Sequence, residues 1–168
     1  MGNRFDKLGV WEKIAEVRRE KGLVVEIEAK LRSAAGQLQD AGVGLYLIYN
    51  HFRSTEQDSY GVLCAKLNVT NEILGVLVER NNLGSELERR GEIDQAIQLY
   101  EANIADCFNG THPYERLRIL YTRQGRYSDA VRVCESYFKM LDILDKPCAL
   151  PKMQHHLDKL KLKAQQQA

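Results

Sequence analysis

Two stretches of the chain match each other 34 residues apart, and that period constrains the fold more than any other feature. Leu83, Arg89, Gly91, Ala96 and Glu101 recur as Leu117, Arg123, Gly125, Ala130 and Glu135. Leu87/Tyr121, Ile97/Val131 and Leu99/Val133 keep their apolar character. A period of this length is that of one helical hairpin used more than once. Such a unit cannot bury its apolar face alone, so it stacks on its neighbours and displays an extended binding surface.

The residue types suit the hairpin. Gly91 and Gly125 stand where the first helix must stop and the chain reverse, and a residue without Cβ does this at least steric cost. Asp94 and Ser128 are expected to accept from the open amides of the second helix. Ala96 and Ala130 mark a close helix crossing. Leu83, Leu87, Ile97, Tyr100 and Ile104, with Leu117, Tyr121, Val131, Cys134 and Phe138, form the expected inner stripe. Asn109-Gly110 closes the first unit and Pro113 opens the second near its first helical position. Pro147 lies 34 residues after Pro113, so the phase is expected to continue into a third, incomplete unit.

At these residues the chain resembles the tetratricopeptide-repeat (TPR) family over about residues 76–147. Leu83, Gly84, Leu87, Gly91, Ala96 and Tyr100 match its pattern in the first unit, and Leu117, Tyr121, Gly125 and Ala130 in the second. Arg118 and Cys134 depart from the small and aromatic residues usual there. The resemblance implies an all-α fold of antiparallel hairpins stacked into a short solenoid, and action by holding another protein or peptide. No cofactor is implied.

The expected organisation is an N-terminal helical pair over 1–42, a degenerate hairpin over 43–75, two TPR-like repeats over 76–147 and a capping helix with its tail over 148–168. Phe5, Leu8, Trp11 and Ala15 trace one stripe ending near Lys21-Gly22. Leu23, Ile27, Leu31, Ala34 and Leu38 trace a second ending at Ala41-Gly42. Leu45, Ile48, Tyr49 and Phe52 suggest a third helix, with a strand over 44–49 as the alternative. Ser54 to Ser59 reads as a polar loop. Met153, Leu157 and Leu160 give the tail one apolar face, and its lysines suit a wet outer surface and a helix C-terminus.

A second resemblance, to a helix-turn-helix, covers 60–80, with Cys64 in the small position and Asn68-Val69-Thr70 at the turn. It implies a DNA-binding regulator with the repeats as a sensor or dimerisation module. The helix that would read bases carries Glu72 and Glu79 against Arg80 as its sole basic residue. Phosphate neutralisation dominates affinity for DNA, so nucleic acid is the less favoured partner.

Net charge of +1 with 28% charged residues supplies no field that seeks polyanions. No apolar run reaches the ~20 residues that span a bilayer, and residues 1–7 carry neither a secretory segment nor a myristoylation pattern. A cytoplasmic protein with no membrane partner is expected. Cys64, Cys107, Cys134 and Cys148 show no CxxC spacing and read as reduced thiols. His155-His156 point about 100° apart on a helix and do not share a ligand face, so no metal is expected. No phosphate loop, HExxH or nucleophile motif is present, and the chain is read as non-enzymatic.

The expected partner groove is lined by Val78, Asn81, Asn82, Ser85, Glu88 and Arg89 in the first unit and by His112, Glu115, Arg116, Ile119, Thr122 and Arg123 in the second. The family resemblance implies a clamp for a terminal carboxylate, with Asn82 as its asparagine and His112 with Arg116 as its basic pair. Arg116 can hold a carboxylate bidentately. The partner is therefore expected to be a protein or peptide of acidic character, or a second copy of the chain.

Overall fold

The computed structural model describes residues 7–53 and 58–167, with side chains from residue 22 onward. Among the described residues there are seven helices and no strand: α1 (Lys7–Asp40), α2 (Leu45–Phe52), α3 (Tyr60–Arg89), α4 (Ile93–Ala105), α5 (His112–Arg123), α6 (Tyr127–Leu144) and α7 (Met153–Gln165). The protein is all-α. It divides into two compact units, one of residues up to 43 with 48–73, the other of 44–47 with 74–168.

Two expected helix breaks are absent. The paired N-terminal helices are a single helix of 34 residues that runs through Lys21-Gly22. A lone glycine costs a helix only about 1 kcal/mol, and no proline stands near it to force a reversal. Phe5 lies outside the described residues, as do the side chains of Leu8, Trp11 and Ala15 and the loop positions 54–57. The turn expected at Asn68-Val69-Thr70 is likewise continuous α3. There the Thr70 hydroxyl donates to the Lys66 carbonyl at 2.7 Å, a bond helices accommodate. The helix-turn-helix has no turn, and the boundary expected at 75/76 falls inside a helix.

α3 is long and apolar enough, by length and composition alone, to span a bilayer, although no unbroken apolar run in it reaches that length. Ala65, Val69, Ile73 and Leu77 form a buried row along it at four-residue steps, the pattern of a core helix. In the first unit Arg32 of α1 bridges Glu28, one turn before it, and Glu72 of α3. Asn68 donates to Glu28 at 2.6 Å.

Five helices end the same way. After α1, α3, α4, α5 and α6 a residue with positive φ turns the chain: Gly42, Gly91, Cys107, Gly125 and Asp145. In each case the next amide reaches back five residues, as from Glu92 to the Leu87 carbonyl (2.9 Å) and from Arg126 to that of Tyr121 (2.9 Å). These are Schellman closures, and they satisfy carbonyls that the helix end leaves open. Gly91 and Gly125 behave as their residue type requires.

The helix starts differ from expectation. Glu92 and Arg126 occupy the N-cap positions of α4 and α6, and neither helix has a side-chain cap. Asp94 and Ser128 fall two residues past the cap, within the first turn, where Asp94 suits the positive end of the helix dipole.

The core of the second unit runs from Leu87 through Ala96, Tyr100, Leu117, Ala130, Val133, Cys134, Tyr137 and Met140 to Met153, Leu157 and Leu160. Ala96 and Ala130 are fully buried, consistent with close crossings. Leu83, expected inside, is exposed. In α6 the buried row passes through Val133 and Tyr137, leaving Val131 and Phe138 partly covered at its edge. α6 is also five residues longer than α4. No helix starts at Pro147, and α7 begins only at Met153.

Gly84 and Tyr100 are packed together, and a Cβ on Gly84 would lie 2.6 Å from Tyr100 Cε1. Thirty-four residues later the same two positions hold Arg118 and Cys134. The small residue has changed sides: where the opposing side chain shrinks from tyrosine to cysteine, a long one takes the glycine's place. The two departures from the repeat pattern are therefore a matched pair. Burial pushes the Cys134 thiol up to about 11, with Arg118 the charge that pulls against it.

Candidate functional site

The expected groove residues fall into three groups. Ser85, Arg89, His112, Arg116 and Arg123 line one cavity of about 390 Å³, together with Glu88 and Ile93. Asn82 lines an adjoining cavity of about 490 Å³ with Glu79, Leu83 and Glu86, and Ser85 and Arg89 belong to both. Asn81, Glu115, Ile119 and Thr122 line neither. Val78 is exposed and Ile119 half-buried. The Thr122 hydroxyl donates to the Arg118 carbonyl within its own helix, and Glu115 faces a different cavity.

Asn81 is held by the core. Asn103, fully buried on α4, donates through Nδ2 to the Leu77 carbonyl at 2.8 Å and to Asn81 Oδ1 at 3.0 Å. A buried amide without such acceptors would be costly. Arg80 lies beside this amide and is ion-paired with Asp106. Asp106 in turn holds the start of α2: its Oδ1 accepts from the Leu45 amide at 3.0 Å and its carbonyl from the Tyr46 amide at 3.0 Å. The basic residue that a DNA-reading helix would have used is thus engaged inside the fold.

The 390 Å³ cavity carries an ion pair of its own. Arg116 donates through Nε to Glu88 Oε1 at 2.9 Å and through Nη2 to Glu88 Oε2. Tyr100 adds a hydroxyl donor to Oε1 at 2.8 Å. Burial opposes ionisation of Glu88, but the Arg116 and Tyr100 hydrogen bonds outweigh it and hold the carboxyl below its usual range. Burial likewise pushes the Tyr100 phenol up to about 12. The side chain expected to clamp a partner's carboxylate already holds one from α3, which tertiary pairing 28 residues apart concealed.

His112 lies with its Nε2 3.0 Å from Ser85 Oγ and its ring edge-on to Tyr100, 5.6 Å between centroids. Ser85 gives its proton to the Asn81 carbonyl at 2.9 Å, so a neutral imidazole supplies Nε2–H to the serine oxygen. Burial, and then Arg116, push the His112 pKa down. Arg116, the other member of the expected basic pair, thus disfavours the charged imidazole, while Glu88 and Glu115 favour it.

What remains outward-facing in this cavity is Arg89 and Arg123. Both are exposed, they stand one repeat period apart, and neither forms an ion pair or hydrogen bond among the described residues. Glu79 and Glu86 stand at the Asn82 end. The groove therefore has a cationic stretch and an acidic one.

Compared with known proteins, the chain matches no family model, no curated protein and no solved structure.

Proposed function

We propose that the chain is a non-enzymatic binding protein of the tetratricopeptide-repeat kind, which holds a peptide segment of another protein in this groove. Gly91 with Gly125 and Ala96 with Ala130, each pair a period apart and alike in backbone or burial, support the repeat reading. The observation that carries the function is the pair of unengaged guanidiniums, Arg89 and Arg123, beside an internally neutralised Glu88–Arg116 pair. Fixed charge with no partner among the described residues, on the wall of a groove, favours an acidic segment that brings its own carboxylates. Glu79 and Glu86 favour a basic or neutral residue at the other end and so set the direction of the bound chain. A cytoplasmic adaptor or regulatory subunit is the role this reading supports.

A displayed peptide library selected on the whole chain tests it. Enriched peptides should carry aspartate or glutamate in a cluster, and their affinity should fall at least tenfold, about 1.4 kcal/mol, in Arg89→Glu/Arg123→Glu. Enrichment of peptides without acidic residues, or affinity unchanged by the double reversal, would sink the proposal.

A further inference from the structure

α5 and the start of α7 line a separate cavity, of about 210 Å³. Leu150, Pro151 and Met153 form its apolar wall. Arg118, Lys152 and His156 bring three basic side chains to it, against the single carboxylate of Glu115. None of the three basic side chains forms an ion pair among the described residues, and Glu115 does not pair with Arg118.

Arg118 is the informative member. It stands where the preceding hairpin has Gly84, and its Nε is buried without a hydrogen-bond partner among the described residues. A buried guanidinium N–H with no acceptor is rare in a folded protein and calls for an explanation. The cavity beside it supplies one. α7, which starts at this cavity, has no side-chain cap, so the positive end of its dipole is also turned there.

We propose that this cavity binds a small phosphomonoester, its phosphoryl oxygens taken by Arg118, Lys152 and His156 and its organic part laid on Leu150, Pro151 and Met153. A phosphate dianion answers the charge surplus over Glu115, and a planar guanidinium holds two of its oxygens at once. A carboxylate answers less of that surplus and offers fewer acceptors. The site is separate from the peptide groove, to which it contributes no residue.

The imidazole supplies a second signature. Burial, then Arg118, His155, Lys159 and Lys152 hold the His156 pKa down, with Glu115 the opposing charge in the cavity. A bound dianion reverses that balance, so His156 should take up a proton on binding near neutral pH.

Calorimetric titration of the whole chain with inorganic phosphate, phenyl phosphate and benzoate tests the site. Phenyl phosphate should bind at least tenfold more tightly than benzoate and more tightly than inorganic phosphate. Arg118→Met, which keeps the apolar stem, should weaken it at least tenfold, and Arg89→Ala should leave it unchanged. In the unsubstituted chain, the His156 ring protons should titrate at higher pH with phenyl phosphate than without. No binding at millimolar phenyl phosphate, equal binding of benzoate, or a His156 titration that does not move would each overturn the proposal. Preference for inorganic phosphate would overturn the assignment of the apolar wall.

Discussion

Glu88 on α3 receives the Arg116 guanidinium of α5 with both carboxylate oxygens, joining two helices through one planar contact. Glu88 is nearly buried, with its side chain 9% exposed, and Arg116 is 32% exposed. Removing either partner strands the other. Arg116→Ala should destabilise the fold by about 2 to 4 kcal/mol, somewhat under the ~3 to 5 of a fully buried pair. Urea unfolding of the variant measures this, and a loss below 0.5 kcal/mol, on the order of a surface pair, would mean that the contact is incidental.

Acidification should act through two groups in the same direction. The folded pKa of Glu88 is lowered, so its contribution is present above the unfolded carboxyl pKa, ~4.3, and is lost as pH falls through the folded value. His112 is also lowered, so its contribution is full above the unfolded imidazole value, ~6.5, and declines below it. Stability should therefore fall in two stages on the acid side. His112→Gln should flatten the upper stage and leave the lower. A wild-type curve that is level from pH 7 to 5 would contradict the His112 assignment.

Glycines 84 and 75 sit in the same helix and should respond oppositely to alanine. Gly84→Ala drives a Cβ into the Tyr100 ring and should cost about 1 to 3 kcal/mol by overpacking. Gly75 has nothing within 4 Å of a built Cβ, so Gly75→Ala should gain about 0.5 to 1 kcal/mol from helix propensity. Thermal melts of the two variants should shift to opposite sides of the parent.

Asp106 separates its two roles by substitution. Asp106→Asn keeps an oxygen for the Leu45 amide but removes the charge facing Arg80, whereas Asp106→Ala removes both. Loss of an end cap costs about 0.5 to 2 kcal/mol, and the alanine variant should be less stable than the asparagine variant by that amount. Amide hydrogen exchange at Leu45 should accelerate in Asp106→Ala alone.

Much of the second half could be read in advance because its demands are local. A chain reversal needs positive φ, and Gly91 and Gly125 announce it; a tight crossing needs a small side chain, and Ala96 and Ala130 announce that. The α6 register was harder, since Val131 and Phe138 are as apolar as the buried Val133 and Tyr137. The continuity of α1 through Gly22 and of α3 through Asn68-Val69-Thr70 turned on costs near 1 kcal/mol that residue types alone do not rank. That Ser85, Arg89, His112, Arg116 and Arg123 share one face was legible from the repeat, but the electrostatics of the cavity they line were not. Nothing in sequence says that Glu88 meets Arg116, or that Arg80 spends its charge on Asp106. Arg118 and Cys134 did carry a signal, for both broke the pattern, at positions whose counterparts Gly84 and Tyr100 pack together.

Thiol reactivity should follow environment. Cys134 is fully buried, its thiol pushed up to about 11 by burial, while Cys148 is exposed. Under native conditions an alkylating reagent should modify Cys148 first and Cys134 only on unfolding. Mass spectrometry of partially labelled protein distinguishes the two, and early labelling of Cys134 would show that its cover opens locally.

In the second unit α4 packs on α5, α5 on α6 and α6 on α7, each against its successor. Few long loops need closing before contacts form, so this half should fold quickly from its neighbours outward. The same order has a consequence on the ribosome. Until α7 has been made, the apolar face awaiting Met153, Leu157 and Leu160 has no cover, and for those seconds the nascent chain presents a ready surface to chaperones.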